Sequence, residues 1–512
     1  MAIVEELARG TDGRRRLGLK SPATLEPVGE ISVATAADVQ SALARARAAQ
    51  PAWGATPVAE RARIVRSGLD VLLRRKPELV EILVRESGKT RIEAVAMELV
   101  ACCDFLNYWS ARAPDDLADE WRKLHGYMRP LKKLLVTYRP LGVVGIITPW
   151  NGPLALSLNP TVQALLAGNA VLLKPSEISP RSGAAAADIL LEAGVPKDVL
   201  QILDGDGETG AALVEAGVDK ISFTGSVSTG KKVAASCARQ LIPCTLELGG
   251  KDAMIVCADA DLDRAAQAAV FASVLNTGQI CMSVERIYVV EAVADAFIAK
   301  ATEAASKVRW GTPDEPADVG SLFWDKQLAI VEKQVDAAKK AGARALVGGE
   351  RDAARKGLFF KPTLLVDVNH DMAVMREETF GPVIAVQRVR DEEEAIRMAN
   401  DSPYGLSGSV FTKDVEKGIA IAKRMATGSV TINDAAVIYG VPEAPFGGLK
   451  ESGVGRVNGV DALRDYSHAQ PILIHRWNTK RERAWYPFTP ATLKEIEGAL
   501  KLFGPRIRNW IA

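Results

Sequence analysis

The sequence has 512 residues, 48% of them apolar, and its 64 lysines and arginines balance 63 aspartates and glutamates to a net charge of +1. That length suits about three domains of roughly 150 residues, and the charge balance argues against a nucleic-acid-binding protein or an acidic tail. The first residues lack an apolar core of signal-peptide length and no run of about 18 apolar residues occurs, so we expect a cytoplasmic protein.

The first elements along the chain are predicted to be helices. Val39, Ala42, Leu43 and Ala46 follow a helical spacing, and a similar pattern continues from residue 61 to residue 83. From Leu141 short apolar runs alternate with helical stretches of about a dozen residues, which is typical of a parallel sheet covered on both faces. The predicted strands are Val143–Ile147, Ala170–Leu173, Leu200–Ile202 and Lys220–Phe223. A second alternation begins near Ala253 and runs past Val430, so the fold class is α/β.

The first two of these strands end in candidate ligand-binding turns. Asn151 follows the first strand, where its amide could face a developing oxyanion, although an Asn at this position is more often a helix N-cap. Lys174 and Glu177 close the second strand and could hydrogen-bond a ribose. Because Glu177 would repel a 2′-phosphate, this turn favours NAD over NADP.

Two glycine patterns compete for a pyrophosphate. The segment Gly205–Gly210 fits G-x-G-x-x-G, but no acidic residue ends a strand about twenty residues later. The turn Phe223-Thr224-Gly225-Ser226 opens a helix through Gly230 and could equally bind a phosphate at the helix N-terminus.

Two residues are candidates for covalent chemistry. Glu247 ends a β-type run before Gly249-Gly250, and Cys281 lies in a Gly-containing loop, Asn276–Cys281. A reactive thiol needs a lowered pKa, which we expect the backbone amides of a following helix to provide. The other cysteines have apolar or small neighbours, and the four histidines lack ligand spacing, so no metal site is predicted.

The last residues form a separate segment. Thr489-Pro490 is a predicted helix start, and an apolar stripe follows before Gly504-Pro505 stops the helix. The stripe contains Leu493, Ile496, Leu500 and Phe503. The favoured role of this helix is packing on a neighbouring subunit. The alternatives are substrate gating and contact of Phe503 and Trp510 with a membrane surface.

From about Ser21 to Gln470 the sequence resembles the aldehyde dehydrogenase superfamily, nearest its semialdehyde branch. The motifs that carry the resemblance are Pro149-Trp150-Asn151, Leu173–Glu177, Phe223–Ser226, Glu247–Lys251, Gly278–Cys281, Glu378–Pro382 and Pro445–Gly448. The resemblance implies Cys281 as nucleophile, Glu247 as general base and Asn151 as oxyanion donor. It also implies cofactor-binding residues: Ile147, Thr148, Pro149, Trp150, Lys174, Ser176, Glu177, Gly207, Phe223, Thr224, Gly225, Ser226, Gly230, Leu248, Gly249, Glu378 and Phe380.

The resemblance further implies the aldehyde dehydrogenase fold, with two Rossmann-like parallel-sheet domains and a small oligomerisation sheet. The NAD-binding domain would be residues 1–121 and 141–248, and the catalytic domain residues 249–456. Residues 122–140 and 466–480 would supply the oligomerisation strands of a homodimer or homotetramer, and residues 481–512 a helical extension. The cofactor would be NAD, with NADP as an alternative.

Three positions depart from the relatives and bear on the substrate. Succinate-semialdehyde enzymes carry arginines where this chain has Asn159 and Leu275, and the common Phe after Pro-Trp-Asn is Gly152. The predicted pocket residues are Gly152, Leu156, Asn159, Ile280 and Met282. A bulky aromatic or long aliphatic aldehyde is therefore the leading hypothesis. The alternatives are a semialdehyde enzyme with its acid clamp on Arg286 or Lys450, and a non-enzymatic binding protein that keeps the fold.

Overall fold

A computed structural model describes residues 2–11, 13–477, 479–482 and 485–500. The chain opens with an antiparallel sheet that sequence analysis did not predict, made of β1 (Val4–Leu7), β2 (Arg16–Lys20) and β3 (Pro27–Ser32). The expected helices follow as α1 (Ala36–Ala55), α2 (Val58–Ser87), α3 (Arg91–Glu93) and α4 (Val100–Asp116). One turn of π-helix, Ala94–Leu99, joins α3 to α4. Two short strands come next, β4 (Glu120–Arg122) and β5 (Lys132–Pro140), separated by a 3₁₀ turn at Gly126–Met128.

The first large sheet is built by a regular alternation. Its segments are β6 (Val143–Ile147), α5 (Pro153–Leu166), β7 (Ala170–Lys174), α6 (Pro180–Glu192), β8 (Leu200–Ile202), α7 (Gly207–Glu215), β9 (Lys220–Thr224), α8 (Val227–Gln240) and β10 (Cys244–Glu247). The strands β6 to β10 are mutually parallel. Nearly all residues of β6 and β7 are buried, as expected for a parallel sheet covered on both faces.

The second large sheet follows the same principle. Its first half comprises β11 (Asp252–Val256), α9 (Leu262–Val274), a 3₁₀ turn at Leu275–Gly278, β12 (Val284–Val290), α10 (Glu291–Ser306) and α11 (Asp325–Lys340). Its second half comprises β13 (Arg344–Val347), β14 (Thr363–Val366), α12 (Ala373–Arg376), β15 (Val383–Val389), α13 (Glu392–Asn400), β16 (Gly408–Phe411), α14 (Val415–Ala422) and β17 (Thr431–Ile432). The strand order is β13-β14-β15-β12-β11-β16-β17.

The final segments return to earlier parts of the molecule. After 3₁₀ turns at Ile438–Gly440 and Lys450–Ser452 come β18 (Gly453–Val454), α15 (Val460–Arg464), β19 (Ser467–His475) and α16 (Pro490–Leu500). β18 completes the first large sheet, in the order β18-β10-β9-β6-β7-β8, and β19 pairs with β5 in the sheet β19-β5-β4.

This topology confirms the predicted α/β class with two parallel sheets and a small separate sheet, whereas the predicted domain boundaries stay a prediction. α16 begins at the expected proline, and Leu493, Ile496 and Leu500 of its stripe are exposed. Phe503 and the predicted stop at Gly504-Pro505 lie outside the described residues. Within the described part of the chain, no helix is both long and apolar enough to cross a bilayer.

Candidate active site

The loop that carries Cys281 is held in an unusual backbone conformation. Asn276, Thr277 and Gly278 all have positive φ angles, of 55°, 57° and 73°. A Cβ on Gly278 would lie 2.1 Å from the carbonyl oxygen of Gly381, so only glycine fits there. Two non-glycine residues in the left-handed region cost free energy, and such strain is most often found at functional sites. The loop thus turns sharply out of α9 toward the first large sheet.

The environment of Cys281 corrects one expectation. No helix follows the cysteine, because the chain passes through a turn directly into β12 at Val284. Burial instead raises the pKa of the Cys281 thiol well above its usual range, and the Glu247 carboxylate raises it further. The backbone amide of Met282 only partly opposes this effect. The Cys281 thiol therefore needs a base nearby to form the nucleophilic thiolate.

Glu247 supplies a carboxyl group close to that thiol. It ends β10, only 5% of the residue is exposed, and its Oε1 has no hydrogen-bond partner among the described residues. Burial raises the pKa of Glu247 well above its usual range, and Arg456 partly opposes the shift. A buried carboxyl oxygen without a partner is costly, and a strongly perturbed carboxyl in a cleft marks a functional residue.

Asn151 connects the first large sheet to the cysteine loop. It lies between β6 and α5, where Gly152 rather than Asn151 is the helix N-cap. The Asn151 Nδ2 donates to the Gln279 carbonyl at 3.0 Å, and Asn276 Nδ2 donates to the Asn151 carbonyl at 3.0 Å. One proton of the Asn151 side-chain amide remains for another acceptor.

Cys281 and Asn151 open onto a cavity of about 590 Å³. Most of its lining is apolar, and its charged lining residues are Glu93, Glu98 and Asp318. Within the described residues, the lining contains no lysine, arginine or histidine. Ile92 and Phe271, which are 67% and 52% exposed, are the most exposed apolar side chains of the lining.

The predicted pocket residues divide into two groups. Gly152, Leu156, Ile280 and Met282 line the cavity. A Cβ on Gly152 would lie 3.2 Å from Leu156 Cδ1, so Leu156 occupies part of the space that the glycine leaves.

Asn159 lies outside the lining, which corrects its predicted place on the pocket wall. Its side chain is fully buried and engaged on both sides: the Oδ1 accepts from Trp109 Nε1 at 2.8 Å and Gln163 Nε2 at 2.9 Å. Its Nδ2 donates to Asn458 Oδ1 at 3.1 Å and to the Tyr439 hydroxyl at 3.3 Å. Asn159 therefore supports Tyr439, which does line the cavity.

The candidate acid clamps lie away from the cavity. Arg286 donates to the carbonyl oxygens of Lys251, Met398 and Ala399. Lys450 Nζ donates to two other backbone carbonyls, at 2.8 and 2.9 Å. Leu275 lines the cavity with an apolar side chain. Arg286 and Lys450 therefore direct their cations away from Cys281, and Leu275 provides no charge.

The predicted cofactor residues meet at the carboxyl edge of the first large sheet. The strand ends at this edge are Ile147, Lys174, Ile202, Thr224 and Glu247. Ligands of open α/β sheets bind at such an edge. Thr148 N donates to the Lys174 carbonyl at 3.1 Å, and Gly225 N donates to the Glu247 carbonyl at 3.0 Å. The turns that contain Pro149 and Leu248 therefore lie beside the other predicted residues.

Two helices begin at this edge. Ser226 caps α8, and its hydroxyl accepts from Thr229 N at 3.4 Å. Gly230 lies in the first turns of α8, where a Cβ would meet the Leu248 side chain at 2.4 Å. Gly207 is the first residue of α7, the helix that begins within the competing glycine pattern. Both helix N-termini point their free amides to the same side of the sheet.

Lys174 and Glu177 form a partly buried ion pair at the end of β7. The Lys174 ammonium is buried and lies 3.4 Å from Glu177 Oε2. Burial lowers the pKa of Lys174, and the nearby Glu177 carboxylate opposes the shift. Ser176 is also buried and accepts from Ile178 N through its hydroxyl. The turn offers one cation and one carboxylate to a polyhydroxylated ligand.

Glu378 and Phe380 reach the same crevice from the second large sheet. Glu378 Oε1 accepts from Gly250 N at 3.0 Å, and a Cβ on Gly249 would lie 2.5 Å from the same carboxylate. Burial and the neighbouring Glu285 raise the pKa of Glu378 to about 8. The Phe380 ring lies edge-on to the Trp150 ring, with centroids 5.5 Å apart.

Sequence analysis missed the residue that holds this segment. Glu285 accepts from Thr379 N at 2.7 Å and from Phe380 N at 2.8 Å. It also pairs with the buried Lys251 ammonium at 2.6 Å. Phe380 has a positive φ of 50°, so these two hydrogen bonds stabilise a strained turn. Glu285 and its neighbour Arg286 are the charged residues of a strand that is otherwise apolar or aromatic, which is the signal that could have identified Glu285.

One group of residues has ligand types suited to a metal ion. Among the described residues, Cys257, Asp259 and Glu392 have ligand atoms within 4.8 Å of one another. The Lys417 ammonium lies 3.3 Å from Asp259 and 2.5 Å from Glu392. A lysine therefore already offsets part of the negative charge of this group.

Comparisons with known proteins agree with this arrangement. The model of the aldehyde dehydrogenase family matches residues 9–472. A Mycolicibacterium smegmatis protein named "putative succinate-semialdehyde dehydrogenase", with NADP(+) in its name, is 41% identical over 93% of this chain and 91% of its own. A Methylomonas protein named "4,4'-diapolycopene aldehyde oxidase" is 38% identical over 94% and 90%.

A solved structure supports the same relationship. The Mycobacterium tuberculosis aldehyde dehydrogenase complexed with NAD+ is 38% identical and superimposes with a TM-score of 0.85. The match covers 90% of this chain and 94% of that one. This likeness confirms the predicted fold, with two largely parallel sheets and small antiparallel ones.

Proposed function

Because the chain belongs to the aldehyde dehydrogenase family and is an NAD(P)-dependent aldehyde dehydrogenase, we propose that it oxidises long or bulky apolar aldehydes to carboxylic acids. The observation that carries this proposal is the lining of the cavity at Cys281. Its charged groups are all carboxyl groups, and its described residues include no cation. A substrate carboxylate would find no charge-assisted partner there, whereas an alkyl or aryl chain would be desolvated favourably.

The size of the cavity supports the same substrate class. A volume of about 590 Å³ is within the range of pockets that bury most of the surface of a drug-sized molecule. The relative from Methylomonas is named for a diapolycopene aldehyde. This cavity at Cys281, the substrate tunnel of the proposal, has Ile92 and Phe271 in its lining and suits a long apolar chain.

We assign three roles in the reaction. Glu247 accepts the Cys281 proton, the thiolate sulfur bonds to the aldehyde carbon, and the carbonyl electron pair moves to oxygen. The free proton of Asn151 Nδ2 and the Cys281 backbone N–H stabilise that oxyanion, a contribution worth about 3 to 4 kcal/mol per donor. NAD(P)+, when held in the strand-end crevice, would supply the acceptor for the hydride that the thiohemiacetal carbon loses, and Cys281 would then carry a thioester. Glu247 releases the Cys281 proton to solvent and then takes a proton from water, whose oxygen attacks the thioester carbon. The carbon–sulfur bond breaks, the acid leaves, and the Cys281 thiolate regains a proton from Glu247.

The strand-end crevice fits the cofactor. Helices α7 and α8 direct their N-termini into it, and Lys174 and Glu177 face it with one ammonium and one carboxylate. We propose that Lys174 and Glu177 bind the adenosine ribose, and that Glu378 and Phe380 lie beside the nicotinamide. Glu177 would repel a 2′-phosphate, so NAD is the preferred acceptor.

The chain also presents a surface suited to self-association. β19 is an edge strand of its sheet, with Ile472, Leu473 and Ile474 exposed along it. An exposed apolar edge strand pairs readily with another chain. We propose a homodimer or homotetramer through this sheet. Light scattering coupled to size exclusion measures the mass, and the charge variant Leu473→Lys should lower it.

The substrate proposal is tested with a panel of aldehydes. Initial rates of NADH formation are compared for succinic semialdehyde, hexanal, decanal, benzaldehyde and a hydroxylated cinnamaldehyde, and repeated with NADP. We expect kcat/KM to rise from hexanal to decanal and to be lowest for succinic semialdehyde. A clear preference for succinic semialdehyde, the substrate in the name of the Mycolicibacterium relative, would establish the alternative function.

A further inference from the structure

The residues that could form the oxyanion hole are tied to one buried segment, Lys89 to Glu98. Lys89 and Glu98 are 0% exposed and form an ion pair, in which Lys89 Nζ lies 2.5 Å from Glu98 Oε1. Lys89 Nζ also donates to the carbonyl of Asn151 at 3.4 Å. The other Glu98 oxygen accepts from Ala155 N, in the first turn of α5, at 2.9 Å. The Glu98 carboxylate thus binds two groups near Asn151: the Lys89 ammonium, which donates to the Asn151 carbonyl, and the backbone amide of Ala155.

Glu93 makes the corresponding contact with the cysteine loop. Its Oε1 accepts from Asn276 N at 2.7 Å, and its Oε2 accepts from Thr90 N and Thr90 Oγ1 at 3.0 Å. Asn276 is the first residue of the strained left-handed pair and donates its side-chain amide to the Asn151 carbonyl. Glu93 therefore holds the loop from which Cys281 projects, against Asn151.

The π-helical turn explains how both carboxylates face the site. In an α-helix, residues five apart differ in direction by about 140°, since each residue turns by about 100°. Here Val100 N–H donates to the Val95 carbonyl, the five-residue spacing of a π-helix. This wider turn brings Glu93 and Glu98 to the same side, and both line the cavity.

We propose that Lys89, Glu93 and Glu98 are positioning residues that hold Asn151 and the cysteine loop in register for the oxyanion. The inference rests on the proposed roles of Asn151 and Cys281. Glu98 acts through Asn151, so its effect should depend on that residue being present. A residue with a purely structural role would lower stability without such dependence.

The chain offers a matched control in Glu86. Glu86 is also a buried carboxyl, and it accepts from the first-turn amides of α6, at Arg181 N and Ser182 N. It does not line the cavity. Glu98→Gln and Glu86→Gln both keep an oxygen acceptor at a helix N-terminus and remove the charge, but only the first disturbs Lys89 and Asn151.

The test is a double-mutant cycle read in the rate of the NADH burst with the fastest aldehyde of the panel. Asn151→Ala should slow the burst by about 10² to 10³, and Glu98→Gln by about 10 to 100 because of misplacement. The burst rate of the double variant should be within about threefold of the burst rate of Asn151→Ala alone. Glu86→Gln should keep the wild-type burst, and KM for NAD should change little in all variants.

The outcomes separate the two proposals. An unchanged burst in Asn151→Ala would overturn the proposed oxyanion role itself. Two other outcomes, each with a slow burst in Asn151→Ala, would overturn only the positioning role. In the first, the losses in burst rate of the single variants multiply in the double variant. In the second, Glu98→Gln and Glu86→Gln have the same burst rate.

A second variant serves if Glu98→Gln does not fold. Lys89→Met with Glu98→Met removes both charges together, a change that buried ion pairs often tolerate. Thermal melting verifies that it is folded. The same slow burst, again without additivity to Asn151→Ala, is expected, and a wild-type burst would contradict the proposal.

Discussion

Two regions meet at Cys281 but are built differently. One is the lining of the substrate cavity, the tunnel wall, and the other is the carboxyl edge of the first large sheet, the cofactor edge. Most of the cofactor edge consists of strand-to-helix turns of the first large sheet, each a short continuous motif, and Glu378 and Phe380 reach it from the second large sheet. The tunnel wall combines helix α5, the cysteine loop, the π-helical segment and the 3₁₀ turn near Tyr439, which are far apart in sequence. Catalytic and cofactor-binding residues therefore lie mostly in short local motifs, whereas substrate choice depends on how distant segments pack. Each prediction below alters one of these two regions and leaves the other as its control.

Removing the nucleophile should have the largest effect. Cys281→Ala should lower kcat by at least about ten-thousandfold, because no covalent intermediate can form. NAD binding, measured by quenching of protein fluorescence, should be retained, since the strand-end crevice is unchanged. Cys257→Ala, another buried thiol, should keep full activity. Substantial turnover by Cys281→Ala would contradict the assigned chemistry.

Removing the base should have the next largest effect. Glu247→Gln should lower kcat by about 10² to 10⁴ and slow the initial burst of NADH as well, because the same carboxylate accepts the Cys281 proton. Burial raises the pKa of Glu247, so the carboxylate form of the base accumulates as pH rises. Wild-type kcat should therefore increase with pH through the neutral range, and the variant should lose this dependence. A variant that keeps the wild-type pH profile of kcat would exclude Glu247 as the base.

Placing a cation in the tunnel should change substrate choice. Leu275→Arg should raise kcat/KM for succinic semialdehyde relative to decanal by about 10- to 100-fold, because a charge-assisted pair contributes about 1.5 to 3 kcal/mol. Leu275→Met is the control for side-chain length and should keep the wild-type order. KM for NAD should not change in either variant. An unaltered ratio in Leu275→Arg would show that substrates do not contact this part of the wall.

Changing the cofactor edge should have the smallest effect. Glu177→Gln should raise the NADP:NAD ratio of kcat/KM by about fivefold, since a half-exposed charge pair near the surface is worth about 1 kcal/mol. High salt should reduce the difference in this ratio between the variant and the wild type, because screening weakens the repulsion between Glu177 and the 2′-phosphate. The order of aldehydes in the panel should remain unchanged. A ratio that does not respond would place the adenosine ribose away from Glu177.

Local sequence signals identified much of this protein. Alternation of apolar runs and helical stretches predicted the strands β6 to β9 within a residue or so, because buried parallel strands are nearly all apolar. Motifs at strand ends indicated Lys174, Glu177, Ser226 and Glu247, which the structure brings to one edge. Such turns are short, so their residues are neighbours both in sequence and in space.

Only the tertiary structure decided the rest. The pKa of Cys281 follows from burial and from the approach of Glu247, neither of which a loop sequence reveals. Asn159 aligned with a pocket position but lies behind Tyr439, because its amide completes a buried hydrogen-bond network with distant residues. Glu93 and Glu98 face the site through one π-helical turn, which helical periodicity does not predict. The sequence by itself determined the reaction class through local motifs, whereas long-range packing decided the shape and charge of the substrate tunnel.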